Sequence, residues 1–177
     1  GLLEKERLST YYVAHFKENV FSKAPNSKIY MNYFQQGFHY LDDFSFPSRS
    51  IIGVEEKVDF MFAGRKFTGF VDLISENGKL IVTDHKSRTL KPRSKRSKPT
   101  KHDAELDEYL RQLYVYSAAV KGKYGRYPDI LEFNCFRSQA MIQEPFESKR
   151  LYTVEDWASK TIDSIATNDK WSAKPDY

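Results

Sequence analysis

Apolar residues recur at steps of four near the start of the chain: Leu8, Tyr12, Phe16 and Val20. That spacing lays them along one stripe of an amphipathic helix within residues 3–21. The stretch APNSK interrupts the stripe. A second helix follows over 27–44, with Asn26 or Ser27 placed to cap it. After the loop FPSRS the period changes to two. In GVEEKVDFMF, Val54, Glu56, Val58, Phe60 and Phe62 share one strand face, and Glu55, Lys57, Asp59 and Met61 share the other. FTGFVDLI and KLIVTD read as two further strands. AGRK is the first turn, and Asn77-Gly78 is a strong hairpin signal for the second, so the three strands form an antiparallel meander. Residues 87–102 show no periodicity and contain two prolines, which predicts a mobile loop. A helix over 103–125 carries the apolar stripe Leu106, Leu110, Leu113 and Tyr114. DILEFNCF is a fourth strand. A short further strand fits between it and a last helix capped by Thr153. The order α-α-β-β-β-α-β-(β)-α predicts an α/β layer structure with a mixed central sheet flanked by helices. One domain is expected, with N-terminal helices over 3–45, a core over 50–136 and a C-terminal helix over 153–167.

Composition narrows the class. The 177 residues are 40% hydrophobic and 29% charged, ordinary for a chain with a sizeable core. No apolar run approaches the roughly 18 residues that span a bilayer, so no membrane association is expected. The chain opens on Gly rather than Met and stops after WSAKPDY, which reads as a fragment or trimmed piece. Cys135 is the single cysteine, which excludes an internal disulfide and a cysteine metal cage within these residues. A reducing compartment such as the cytoplasm fits.

Charge is unevenly spread. Arg88, Lys91, Arg93, Lys95, Arg96, Lys98 and Lys101 follow one another with no acid between, so the rest of the chain nets −3 against the overall +4. This basic strap has three readings: a solvated segment, a nuclear address in KPRSKRSKP, or a phosphate-binding arm. It begins two residues after Lys86 and therefore leaves from the end of the third strand, which favours the arm.

The chemistry-bearing residues cluster on the meander. Asp72 is an acid inside the apolar strand TGFVDLI. Asp84 and Lys86 end the next strand and point to one face, while His85 points to the other. The hairpin sets Asp72 and Asp84 side by side, where two carboxylates repel. A divalent cation removes that repulsion, and oxygen ligands suit Mg²⁺ or Mn²⁺. A lysine beside the pair can orient water. Metal-assisted phosphodiester hydrolysis needs this set.

TGFVDLI…GKLIVTDHKS…QLYVYSAA resembles the RecB-like branch of the PD-(D/E)xK nucleases over roughly residues 35–135. The branch has a G-x-x-D strand, a D-x-K strand and a helix with Q-x-x-x-Y, here Gln112 and Tyr116. The resemblance implies a restriction-endonuclease-like core, α-β-β-β-α-β, and a DNA nuclease, in the exonuclease reading acting on ends or single strands. It implies that Asp72, Asp84 and the backbone carbonyl of His85 bind metal. It implies a further ligand, His39, from a G-x-x-H-like motif that is one residue tighter here (Gly37 and His39). It implies that Lys86 positions the attacking water and that Gln112 and Tyr116 touch DNA or steady Lys86. An additional acid is usual before the second strand. Val54-Glu55 matches the family's V-E step, whereas alternation favours Glu56, and the sequence leaves the pair open. Relatives of this kind include helicase-attached and phage recombination nucleases, so the resemblance implies a helicase or recombination partner and leaves the oligomeric state open. Many members also hold an iron–sulfur cluster through flanking cysteines. With Cys135 alone, these residues do not support one.

Overall fold

The computed structural model describes residues 5–20, 23–43 and 48–168. Two helices come first, α1 (Lys5–Asn19) and α2 (Ser27–Asp43). Asn26 caps the second, its Oδ1 accepting the Ile29 N–H at 2.9 Å. Strands β1 (Ser50–Phe62), β2 (Arg65–Glu76) and β3 (Leu80–Lys86) form the expected meander. The first turn needs positive φ at both central residues, and Ala63 and Gly64 have φ of 48° and 71°. Helix α3 (Lys101–Tyr124) crosses over to β4 (Ile130–Cys135), which pairs parallel to β3. A 3₁₀ turn, Phe136–Ser138, leads to β5 (Ala140–Pro145), antiparallel to β4, and α4 (Ser148–Thr167) closes the order. The five strands lie in the order β1-β2-β3-β4-β5, a mixed sheet flanked by helices.

The core sits between the sheet and α3. Val58, Val71, Ile74, Leu80, Val82, Leu131 and Phe133 meet Leu106, Leu110, Leu113, Tyr114 and Val120 there. Each such side chain contributes about 1.5–3 kcal/mol on burial. Helix α4 adds Leu151, Val154 and Ala158. Strand alternation in β4 is strict: Leu131, Phe133 and Cys135 join this core, while Glu132 and Asn134 are buried on the opposite face. None of the described helices is long and apolar enough to cross a membrane.

Three local expectations are corrected. Helix α3 starts at Lys101, because Thr100 and Asp103 form a reciprocal capping box two residues earlier than the apolar stripe suggests. Thr153 does not cap the last helix. The helix begins at Ser148, and Thr153 Oγ1 donates to the Lys149 carbonyl one turn back at 3.3 Å. The basic segment is irregular but anchored: Leu90 is buried, and the Ser94 N–H and hydroxyl each donate to Asp103 at 2.7 Å. Those Ser94 hydrogen bonds, together with two from Thr100, hold the Asp103 carboxyl well below the ordinary range.

Candidate active site

The parallel register sets Asp84 beside Phe133 and Lys86 beside Cys135. Both therefore lie on the sheet face covered by α3, at the C-terminal end of β3. His85 pairs with Asn134 on the other face, where Asn134 Nδ2 lies 3.1 Å from His85 Nδ1 and donates to the Tyr40 hydroxyl at 2.7 Å. One carboxylate and one ammonium reach the core face because β3 alternates.

The β2–β3 ladder runs from Glu76↔Leu80 to Leu73↔Thr83, so Asp72 and Asp84 fall at the next register position. There a side chain takes over from the backbone: Asp72 Oδ2 accepts the His85 N–H at 2.7 Å. Asp84 is 3% exposed. Its Oδ2 is 2.7 Å from Lys86 Nζ, an ion pair without hydrogen-bond alignment. Burial raises the Asp84 carboxyl above the ordinary carboxylate range. Lys86 offsets part of that, and the charge of Asp72 adds to the rise. Lys86 Nζ also donates to Gln112 Oε1 at 2.8 Å and sits 5.4 Å from the centre of the Tyr109 ring. Gln112 Nε2 donates to the Tyr116 hydroxyl at 3.3 Å. Gln112 and Tyr116, one helical turn apart, thus face the strand pair.

A Cβ at Gly69 would lie 3.0 Å from Cε1 of Tyr116. The glycine of TGFVD is thereby the position over which the Tyr116 ring rests.

Of the two candidate glutamates, Glu56 is engaged elsewhere. It pairs with Lys123 and accepts the Tyr124 hydroxyl at 3.1 Å. Glu55 is exposed with φ 46°. It lies in register opposite Asp72, between the pairs Val54↔Leu73 and Glu56↔Val71. Its left-handed backbone breaks the alternation that had favoured Glu56.

His39 is not brought to the aspartates. Helix α2 reaches the sheet end through Tyr40 to Asn134 and through Gln36 to Arg137, while His39 is exposed beside Phe38. Among the described residues no three His, Cys, Asp or Glu side chains stand together as a metal cage. Gly37 has a packing reason of its own, since a Cβ there would meet the Tyr12 hydroxyl at 2.2 Å.

The basic segment divides. Arg93 is held by Asp107 at 2.6 Å and Glu144 at 2.8 Å, which push its guanidinium further into the charged form. Arg88 pairs with Glu105 and donates to the Tyr109 hydroxyl. Lys91 lies 3.3 Å from His102. Lys95, Arg96, Lys98 and Lys101 are exposed and make no ion pair among the described residues.

Sequence reasoning missed the back of the sheet. Glu132, fully buried, accepts Arg49 at 2.8 and 3.1 Å, Thr83 at 2.7 Å and Gln143 at 2.6 Å. Burial works against its charge, but these bonds outweigh burial and hold the carboxyl below its ordinary value. Its signal was available, an acid inside an apolar strand as at Asp72. Arg49, in a loop without pattern, gave none. Tyr109 was also overlooked, although it lies three residues before Gln112 on the same helix face.

Chemically, two carboxylates converge beside one ammonium at the open end of a parallel strand pair, where α/β sheets carry their ligands. A divalent cation fits this donor set. Asp84 Oδ2 is buried without an aligned donor, and burial together with the charge of Asp72 makes ionised Asp84 costly, a cost that a bound cation would lower.

A family model described as the PD-(D/E)XK nuclease superfamily matches residues 15–176. No match was found among curated proteins.

Proposed function

The chain belongs to the PD-(D/E)XK nuclease superfamily, and from that premise we propose a Mg²⁺- or Mn²⁺-dependent deoxyribonuclease of the RecB-like branch. In this reading it is an exonuclease that hydrolyses phosphodiester bonds at DNA ends or in single strands. The observation that carries the reading is the convergence of Asp72, Asp84 and Lys86 at the end of β3.

Asp72, Asp84 and the His85 carbonyl would hold the cation. When bound, the cation stabilises charge on the phosphate and lowers the pKa of water. Lys86 holds its ammonium between Asp84 and Gln112, where it would orient the attacking water and oppose charge growing on the phosphate. Gln112 fixes the Lys86 ammonium by accepting its hydrogen bond, and Tyr116 fixes Gln112. The Asp72 carboxylate is aimed by the His85 N–H. Exposed Lys95, Arg96, Lys98 and Lys101 attract the backbone without reading bases.

End-labelled single strands, linear duplex and closed circular DNA, each incubated with Mg²⁺, Mn²⁺ or EDTA, test this. Metal-dependent loss of linear DNA with the circle intact supports it. Cutting of the circle would make the protein an endonuclease instead.

A further inference from the structure

A cleft of about 420 Å³ opens between α2 and the 3₁₀ turn, on the sheet face opposite α3. Its lining is aromatic: Tyr12, Tyr33 and Tyr40 from the two N-terminal helices, and Phe136 from the turn. One planar cation enters it. The Arg137 guanidinium lies 4.7 Å over the Tyr33 ring, and its Nε donates to Gln36 Oε1 at 2.8 Å. Its Nη groups make no hydrogen bond among the described residues. Tyr33 is 47% exposed, so part of its ring is open to solvent at the cleft.

The position matters as much as the lining. Lys86 pairs with Cys135, and Phe136 and Arg137 are the next two residues along the chain. The cleft is also tied to the catalytic strand from below, since Tyr40, which lines it, accepts Asn134, and Asn134 reaches His85. The proposed phosphate site and the cleft are therefore the two sides of one sheet end, where β3 and β4 finish in parallel.

An aromatic floor with a guanidinium stacked on it and free donors at the rim is suited to a flat, polar-edged ring. Every nucleobase offers such a ring, but only when unpaired, because a duplex covers both faces. The basic segment lacks aromatic residues and cannot supply this contact. We propose that the cleft between α2 and the 3₁₀ turn stacks an unpaired nucleobase of the strand whose phosphate lies at Asp72, Asp84 and Lys86. This rests on the nuclease reading and deepens it: the substrate is a single strand or a frayed end.

The test measures binding in EDTA by fluorescence anisotropy. The probes are a labelled oligothymidylate, an abasic oligonucleotide of equal length, and a blunt duplex. Wild type, Tyr33→Ala and Arg137→Gln are compared, with thermal melts as the folding control. Tyr33 is half-exposed and Arg137→Gln keeps a polar side chain, so at least one variant reports on a folded protein. Expected is tighter wild-type binding of oligothymidylate than of the abasic strand by roughly tenfold. Both variants then fall to the abasic level, and abasic binding itself does not move. Equal wild-type affinity for the two strands, or variants that weaken both equally, would overturn the proposal. Cleavage of oligothymidylate by wild type in Mg²⁺ is read separately. A protein that cuts without base preference loses the cleft proposal alone, and one that stacks bases but never cuts loses the nuclease reading alone.

Discussion

The carboxylate of Asp72 accepts the backbone N–H of His85 at 2.7 Å, one register step beyond the last β2–β3 ladder pair. The side chain continues the ladder where the backbone leaves it, and so it is both a structural acceptor and half of a charged pair. The two roles separate by substitution. Asp72→Asn keeps an acceptor and removes the charge. It is expected to fold as wild type in urea melts while cleavage falls on the order of 100-fold or more. Asp72→Ala should lose about 1–2 kcal/mol of stability as well, because the His85 N–H is left without its partner. Equal stability of the two variants would mean that the hydrogen bond contributes nothing.

Tyr116 rests on Gly69, and the contact joins the G-x-x-D strand to the Q-x-x-x-Y helix. A methyl group at Gly69 forces the ring to give by a few tenths of an ångström, which disturbs Gln112 and, through it, Lys86. Gly69→Ala should slow cleavage by up to about tenfold with little change in substrate KM. Combining it with Gln112→Ala should cost little beyond Gln112→Ala alone, because both act on Lys86. Additive losses, measured in single-turnover assays, would separate the two residues.

Glu132 and Arg49 form a buried pair behind the sheet, 0% and 8% exposed at their side chains. Arg49→Met leaves a buried carboxylate held only by Thr83 and Gln143, at a cost of about 3 kcal/mol, or about 6–12 °C in Tm. The pH dependence has a definite sign. Glu132 is depressed in the folded state, so its stabilisation is present above the unfolded value, about 4.3. It is lost as pH falls through the lower folded value. The gap between wild type and Arg49→Met should therefore be largest near pH 7 and shrink below about pH 4. A gap that widens in acid contradicts the assignment.

Within the basic segment, anchored and free cations should behave differently. Lys95→Gln, Arg96→Gln and Lys98→Gln should each lower DNA affinity and reduce the slope of log K against log salt by up to about one. Arg93→Gln should leave that slope unchanged and lower Tm instead, because its guanidinium is committed to Asp107 and Glu144. Titrations at several salt concentrations distinguish the two. A slope that responds to Arg93 but not to its neighbours would reverse the division.

Periodicity made the meander, the crossover helix and the fourth strand legible in the sequence, because each buries one face, whereas the parallel pairing of the fourth strand with the third came only from the fold. The same alternation placed Asp84 with Lys86 and sent His85 to the far side. It failed at Glu55, where a left-handed residue interrupts the period and no local pattern announces it. It failed for the start of α4, whose first turn carries no apolar stripe. The basic run looked mobile because composition reports charge and not partners. Asp103 and Asp107, on the helix that follows, and Glu144, from the last strand, hold it. His39 matched a motif, but α2 meets the sheet through Gln36 and Tyr40, and only tertiary packing decides which helix face turns inward. The aromatic cleft was invisible for the same reason, since its walls lie about 100 residues apart.

The central claim is that Asp84 and Lys86 act together on a phosphate in the presence of a divalent cation. It is tested most directly by the rate at which wild type, Asp84→Asn and Lys86→Ala degrade end-labelled linear DNA in Mg²⁺ and in EDTA. All three proteins should first be shown to be folded and to bind DNA. The account predicts metal-dependent degradation by wild type and losses on the order of 100-fold or more in each variant, with EDTA abolishing what remains. Undiminished degradation by either variant, or activity that persists in EDTA, would contradict it.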